Sequence, residues 1–339
     1  MVPQPSDPGV REPGPGIGVG TWAWGNQFLW GYDPRQDATL AACFQRAVQL
    51  GLSFFDTADS YGTGRLQGRS EQLLGEFAAS LAPAQRLNLT LATKLAPFPW
   101  RLGRDGFRRA FAASQLRLRG KLDLVQLHWS TRRYAPWQEG PLLDGLGDLV
   151  QQGAVAAVGV SNMGPQRLRQ VHGRLAQRGI PLRSLQIQLS LLCPGAVSSW
   201  GEDRGGVAAV CRELGIELIA YSPLALGLLG RPPGPLPPLP AGPRRLLWRR
   251  LWPGVQPLLE AMARIGSWHG ATGDAVALNW CRAHGALPIV GLRTPAQAEQ
   301  AAAALSWQLS PEERQTLDQL AFAAAAAGTR MPANPFESA

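Results

Sequence analysis

The chain has 339 residues, enough for one large α/β domain or two smaller ones, and at 45% hydrophobic against 17% charged it can bury an extensive core. Its formal net charge of +9 comes almost wholly from arginine: Lys94 and Lys121 are the only lysines, and the arginines are scattered along helical patterns instead of clustering with aromatic residues. A nucleic-acid groove needs a concentrated basic stripe and a membrane span needs a longer apolar run, so neither kind of partner is expected.

Residues 1–15 are rich in proline and glycine and lack an apolar stretch, which predicts a flexible leader and no secretory signal. The four cysteines, Cys43, Cys193, Cys211 and Cys281, stand far apart with no metal-like spacing. Reduced thiols in a cytoplasmic protein, with no bound metal, are the simple reading.

From residue 16 onward, short apolar runs recur, each followed by a helical pattern. The runs are "GIGVGTW" (16–22), "LSFFDT" (52–57), "LTLATK" (89–94), "LDLVQLH" (122–128), "VAAVGVSN" (155–162), "SLQIQLS" (184–190), "IELIAYS" (216–222) and "LPIVGL" (287–292). They are continuously apolar instead of alternating, as suits strands covered on both faces of a parallel sheet. Amphipathic segments at 37–50, 104–118, 165–178, 203–214 and 295–305 separate them, several with start or stop signals such as "DPRQDA", "LGI" and "TP". Eight β-then-α units over 16–328 predict a single (β/α)8 TIM barrel with long loops after strands 4, 6 and 7 and a C-terminal tail at 329–339. Within it, 231–254 reads as a Pro/Arg-rich loop insertion, which either closes over a bound cofactor or is a surface excursion. An open doubly wound sheet competes. The glycines of "GIGVGTWAWG", however, are not followed directly by a helix and so fail the dinucleotide fingerprint. They read instead as backbone that lets a ligand or a neighbouring strand come close.

On a barrel, the scarce polar residues fall at strand ends, where barrel active sites are built. Asp56 ends strand 2, Lys94 strand 3, His128 strand 4, Ser161–Asn162 strand 5 and Tyr221 strand 7; Gln186 lies in strand 6 and Arg293 follows strand 8. A lysine at an apolar strand end requires a counterion, and Asp56 on the next strand is the natural one. An ammonium beside the phenol of Tyr61 would pull its pKa down from about 10 towards the working range. An imidazole at His128 could orient a carbonyl oxygen. Together these four make a proton donor suited to aldehyde or ketone reduction, with neither metal nor covalent nucleophile. Three of them have a plain structural alternative, a turn cap for Asp56, a loop aromatic for Tyr61 and a core histidine for His128, whereas Lys94, in a chain that uses arginine almost everywhere, fits a purely structural role least well. Their joint placement is what favours chemistry.

The stretches "FFDTADSYG", "ATK", "LDLVQLHW", "AVGVSN", "LIAYSPLALGLL" and "ALNWCRAHGALPIVGLRTPAQAEQ" give the chain, over about residues 16 to 320, a resemblance to the aldo-keto reductase superfamily. "GTWAWG", "PWR", "LDGLGDLVQQG" and "ALSWQLS" are similar to its plant-plastid and cyanobacterial branch. The resemblance implies a catalytic tetrad of Asp56, Tyr61, Lys94 and His128, with Tyr61 as proton donor. It also implies NADPH lying extended across the barrel mouth. Ser161, Asn162 and Gln186 would then hold the nicotinamide carboxamide, although Ser161–Asn162 alone could be a helix cap. Tyr221 would stack on the ring, and Ser222, Pro223 and Leu224 would run along the pyrophosphate. Arg293 and Thr294 would meet the 2′-phosphate, and Gln297 the adenine. Gly20, Thr21, Trp22, Asp56 and Gly291 complete the expected cofactor contacts. Gln300 and Ala301, and "QIQLSLL" in strand 6, depart from the family's usual residues.

The substrate pocket is expected among Trp22, Trp24, Trp100 and Trp129, with Trp30 and Trp200 as further wall candidates, an aromatic lining suited to hydrophobic or ring-bearing carbonyls. The expected protein is therefore an NADPH-dependent reductase of a small aldehyde or ketone, acting as a monomer or weak homodimer. A catalytically weak NADPH-binding sensor subunit on the same fold is the alternative. A metal-dependent barrel hydrolase lacks its ligand cluster.

Overall fold

The computed structural model describes residues 16–198, 206–332 and 334–338. The expected leader at 1–15, and Trp200, lie outside them. Eight strands form a closed barrel in which each pairs in parallel with its sequence neighbours and β1 pairs with β8. They are β1 (Gly18–Gly20), β2 (Phe54–Asp56), β3 (Thr90–Leu95), β4 (Leu124–Leu127), β5 (Ala157–Ser161), β6 (Leu182–Gln188), β7 (Glu217–Tyr221) and β8 (Ala286–Gly291).

The helices lie outside the barrel. In the first half they are α1 (Gln27–Trp30), α2 (Asp37–Gln49), α3 (Arg69–Ala79), α4 (Pro83–Leu87), α5 (Gly103–Arg117) and α6 (Pro136–Gln151). In the second they are α7 (Pro165–Ala176), α8 (Gly206–Leu214), α9 (Arg244–Trp268), α10 (Gly273–Ala283), α11 (Pro295–Ala303) and α12 (Pro311–Ala326). The main core fills the layer between sheet and helices, as continuously apolar strands require. A separate small cluster of Ala92, Leu124, Ile219, Leu287 and Ile289, flanked by Phe54 and Ala157, plugs the barrel interior. Gly18 is there of necessity: a Cβ on it would come within 2.8 Å of the Phe54 ring and 2.9 Å of Ile289.

Two connections are long, 189–205 after β6 and 222–243 after β7, whereas the one after β4 spans only 128–135. The expected 231–254 loop is corrected at its second half. Helix α9 begins at Arg244 and continues through Pro253 and Pro257. Its residues Trp248, Leu251, Trp252, Val255, Leu258, Leu259, Met262 and Ile265 recur at helical spacing and are buried. That burial, at up to about 2 kcal/mol for each large side chain, outweighs the roughly 3 kcal/mol an internal proline costs. The prolines of 232–243 obscured this face by suggesting that the irregular backbone ran further.

The described part of the tail lies at the barrel mouth, where Met331, Pro332 and 334–336 line its cavity. Met331 N–H donates to Leu192 O at 2.9 Å, and Ser338 makes a short parallel bridge to Met163, just after β5.

Helix α3 packs against the end of α5 so closely that a Cβ on Gly75 would lie 2.1 Å from the Arg117 carbonyl oxygen and 2.8 Å from Leu118 Cα. Gly75→Ala should therefore destabilise the fold by about 2 kcal/mol or more, since backbone cannot yield as a side chain can. A thermal midpoint equal to the parent's would contradict this packing.

Candidate active site

Strand alternation carries polar side chains onto the same inward face as the apolar plug, at the strands' C-terminal ends. Asp56 follows Phe54, Lys94 follows Ala92, Gln126 and His128 follow Leu124, Ser161 follows Ala157, and Tyr221 follows Ile219. The registers Gly20↔Asp56, Lys94↔Gln126, Ser161↔Gln186 and Gln188↔Tyr221 set these ends side by side around the mouth.

At its centre is a buried ion pair. Lys94 Nζ lies 2.5 Å from Asp56 Oδ2 and 2.7 Å from the Thr57 carbonyl oxygen, with both residues 1% exposed. The other carboxylate oxygen accepts from Gln186 Nε2 at 2.8 Å and Gln126 Nε2 at 3.4 Å. A buried ammonium–carboxylate pair is tolerable only when further hydrogen bonds support it, and here the ammonium donates to two oxygens and the carboxylate accepts three hydrogen bonds.

Tyr61 rises on the loop after β2, which is held by Tyr61 N–H donating to Ala58 O and Gly68 N–H donating to Tyr61 O. Lys94 Nζ sits 5.0 Å from the centre of the Tyr61 ring, and the Tyr61 and His128 rings are 5.8 Å apart, edge to face. His128 Nδ1 is 3.2 Å from Ser60 Oγ. Beside them Asp59, fully buried, accepts from the Ala96 N–H at 3.1 Å and pairs with Arg101.

Burial dominates the protonation of this group. It pushes the Tyr61 phenol well above its usual range, and the charges of Asp56 and Asp59 and the Tyr221 phenol add to the push. The sequence reading expected Lys94 to draw that phenol down. Instead burial outweighs that pull, and it lowers the pKa of Lys94 as well. His128 is driven well below its usual range by burial and then by the charges of Lys94 and Arg101. Burial raises the Asp59 carboxyl to about 6. Tyr61 is thus held protonated and His128 neutral.

These side chains open into one cavity of about 930 Å³. Asp56, Tyr61, Lys94 and His128 all line it, as do Ser161, Asn162, Gln186 and Tyr221. Its lining continues through Gly20 and Trp22, through Ser222, Pro223 and Leu224, and on to Gly291, Arg293 and Gln297. Four expected residues stand elsewhere. Thr21 is buried behind the site, its hydroxyl donating to Asp56 O at 3.0 Å and bonded to Ser70. Thr294 is exposed and caps α11, its hydroxyl accepting from Gln297 N–H at 3.3 Å. Trp24 belongs to the core, where its Nε1–H donates to Leu292 O at 2.9 Å. Trp100, 70% exposed, stacks on Phe98 outside the cavity. Trp22 and Trp129 are the two of the four tryptophans that face the space.

The amide set is already engaged. Asn162 Nδ2 donates to His128 O at 3.0 Å, and Asn162 Oδ1 accepts from Tyr221 Oη at 2.9 Å and from Asn334 Nδ2 at 2.8 Å. Ser161 Oγ donates to Gln186 O. Asn162, Ser222 and Leu226 also hold positive φ, 62°, 54° and 57°, a conformation that costs a side-chain-bearing residue about 1–3 kcal/mol and concentrates at functional sites. The tail supplies residues that sequence reasoning missed. Asn334 touches Tyr221 and Asn162, and Phe336 stacks on Trp129 at 4.6 Å. No periodicity marks that segment. Gln126 was equally missed, although its polar side chain in the run "LVQLH" was the available signal.

Comparison with known proteins agrees with this geometry. The family model described as "Aldo/keto reductase family" matches residues 16–321. "Pyridoxal reductase, chloroplastic" of Arabidopsis thaliana is 45% identical over 326 residues, covering 95% of this chain and 86% of that protein. "6-dehydroglucose reductase" of Novosphingobium aromaticivorans is 30% identical over 341 residues, covering 98% of this chain and all of that one. An aldo-keto reductase from Klebsiella pneumoniae, solved in complex with NADPH, shares the fold at a TM-score of 0.70 and 24% identity, with 96% of this chain and 95% of that one covered.

A neutral imidazole at His128 has a direct signature. Because its pKa is depressed, its ring nitrogen resonances in the free protein should not titrate between about pH 6 and 8, where an ordinary histidine changes charge. A midpoint near the ordinary value of about 6.5 would show that the ring is solvated and not enclosed beside Lys94.

Proposed function

The chain belongs to the aldo/keto reductase family, and on that premise we propose that it reduces a ring-bearing aldehyde, with pyridoxal the first candidate, to the alcohol at the expense of NADPH. The observation that carries the reading is the buried Lys94–Asp56 pair set against the Tyr61 ring and beside a neutral His128 in a single cavity.

The donor set fits a phosphorylated nicotinamide dinucleotide. Amide and hydroxyl groups from Ser161, Asn162 and Gln186 line the same cavity as the guanidinium of Arg293, which lies across the barrel after β8. When bound, the reduced cofactor supplies hydride to the carbonyl carbon. The protein handles the proton. Tyr61, kept protonated by burial, donates to the carbonyl oxygen, and the phenolate left behind is stabilised by the ammonium of Lys94. On this reading the Ser60 hydroxyl, 3.2 Å from His128 Nδ1, donates to that nitrogen, so that the ring proton sits on Nε2 and can be donated to the same oxygen. Asp56 anchors Lys94 by their ion pair.

The substrate reading draws on Trp22 and Trp129, with Phe336 stacked on the latter, as walls for a planar ring. The name of the Arabidopsis relative points the same way. The aldehyde is a small-molecule partner, and the chain is taken to act as a monomer or weak homodimer.

Two measurements test this. Pyridoxal should drive NADPH oxidation, and Tyr61→Phe should cut kcat by about 10²–10⁴ while leaving the Kd for NADPH within a few-fold of the parent. Retained turnover would remove Tyr61 from the role of donor. Because the phenol must be protonated to donate and its pKa is raised, kcat for reduction should also hold from neutral pH up to the ordinary phenol range near pH ~10. A fall centred near pH ~7.5 would instead mean that Lys94 dominates burial.

A further inference from the structure

Asp59 is a buried carboxylate, two residues before Tyr61, that the proton transfer described above does not use. Its Oδ1 accepts from the Ala96 N–H at 3.1 Å, and its own N–H donates to Lys94 O at 3.1 Å. Its Oδ2 accepts from Arg101 Nη1, which also donates to Ala96 O at 2.7 Å; the guanidinium lies over the Phe98 ring, 4.9 Å from its centre. Asp59 thus ties together the loop that carries Tyr61, the end of β3 that carries Lys94, and the 96–101 loop beyond it. The two backbone bonds of Tyr61 stay within its own loop, to Ala58 and Gly68. Among the described residues, the hydrogen bonds that join 58–68 to β3 and the loop after it are those of Asp59.

The pair also acts on the two groups placed at the carbonyl. The Asp59 charge adds to the push that keeps Tyr61 protonated, and the Arg101 charge adds to the push that keeps His128 neutral. Burial raises the Asp59 carboxyl to about 6 against the pull of Arg101, and Glu71 adds to the rise. The other charges facing it are already matched: Glu71 of α3 by Arg117 of α5, and Lys94 by Asp56. Tyr61 and His128 are uncharged. Protonating Asp59 therefore dissolves its ion pair with Arg101 without removing a side chain.

We propose that Asp59 and Arg101 are positioning residues for the reduction: their ion pair holds the Tyr61 loop against β3, and its loss on protonation of Asp59 releases the phenol from the carbonyl. This rests on the reductase reading above. A displacement of about 1 Å at a reacting group costs about 10²-fold in rate, so a modest loosening of the loop is enough. A merely structural pair would lower stability when removed, yet leave the kcat of the folded protein and its pH profile unchanged.

Two readouts on the full chain decide it, the first without cofactor. In the free protein the Ala96 and Tyr61 amide resonances should titrate together, with a midpoint at about 6. Asp59→Asn should abolish that step, and Arg101→Met should move it upward, because the guanidinium opposes burial. A step at Ala96 with none at Tyr61 would overturn the proposal. In the second readout, with saturating NADPH and 4-nitrobenzaldehyde, kcat should fall towards acid with the same midpoint. Asp59→Asn should lower kcat by about 10- to 100-fold and flatten it between about pH 5 and 8, with the Kd for NADPH within about threefold of the parent. Arg101→Met should lower kcat by a similar factor, and Arg101→Lys, which keeps the charge but not the fork, should recover most of it. Parental kcat in Asp59→Asn, or an acid limb that survives the substitution, would sink the idea. Should Asp59→Asn fail to fold, the two Arg101 variants decide by the same comparison. If the parent reduces neither pyridoxal nor 4-nitrobenzaldehyde, the functional reading fails. The joint titration of Ala96 and Tyr61 still judges the clamp by itself.

Discussion

The barrel mouth is organised around one constraint: an ammonium enclosed among apolar strand ends must be neutralised on the spot. Lys94 meets it with Asp56 one strand away, and the second oxygen of that carboxylate must in turn be satisfied. Gln126 from β4 and Gln186 from β6 provide the donors, so the counterion of one lysine recruits residues from four of the eight strands. The polar network then spreads. Ser184 Oγ donates to Gln126 Oε1 at 3.3 Å, and a Cβ on Gly159 would lie 2.2 Å from Ser184 Oγ, which keeps β5 free of a side chain at that level. The position of Tyr61 relative to Lys94 is a consequence of this network, because the loop that carries it springs from the strand that ends at Asp56.

That dependence explains what could be read from the sequence. Continuous apolar runs ending in a lone polar residue revealed the barrel, because in a parallel sheet the inward face changes from plug to rim within two residues. Asp56, Lys94 and His128 were visible for this reason. The pKa of Tyr61 was not, since it depends on how completely Asp56 cancels Lys94 and on how far water is excluded, and both are properties of the packed state. Trp24 and Trp100 show the same limit from another side. They stand in aromatic stretches of similar character, yet one is sealed in the core against Phe77 and the other lies on the surface. Only the direction each takes from its backbone separates them. The insertion was misread because proline is a local signal, whereas the buried stripe of α9 is a pattern spread over twenty-five residues. The tail carried no pattern at all, and its place at the mouth comes from specific hydrogen bonds of Asn334 and Ser338.

The cavity is electrostatically lopsided. On the side of β4 the ammonium is cancelled by its carboxylate and the imidazole is neutral. Across the barrel, the guanidiniums of Arg231, Arg244 and Arg293 have no carboxylate partner among the described residues. An elongated ligand with one anionic end therefore has one favourable orientation, with the negative end at β8 and the uncharged end at Tyr61 and His128. Orientation is thus fixed by charge before any contact at the reacting end is made. The end at Tyr61 and His128 can remain free of net charge, so an uncharged group meets no competing ion there. A second, unpaired cation near Tyr61 would instead draw the anionic end of such a ligand to the wrong side of the cavity. Placing the positive charges on an insertion after β7 and a residue after β8, as far around the ring from β4 as the barrel allows, meets both requirements at once.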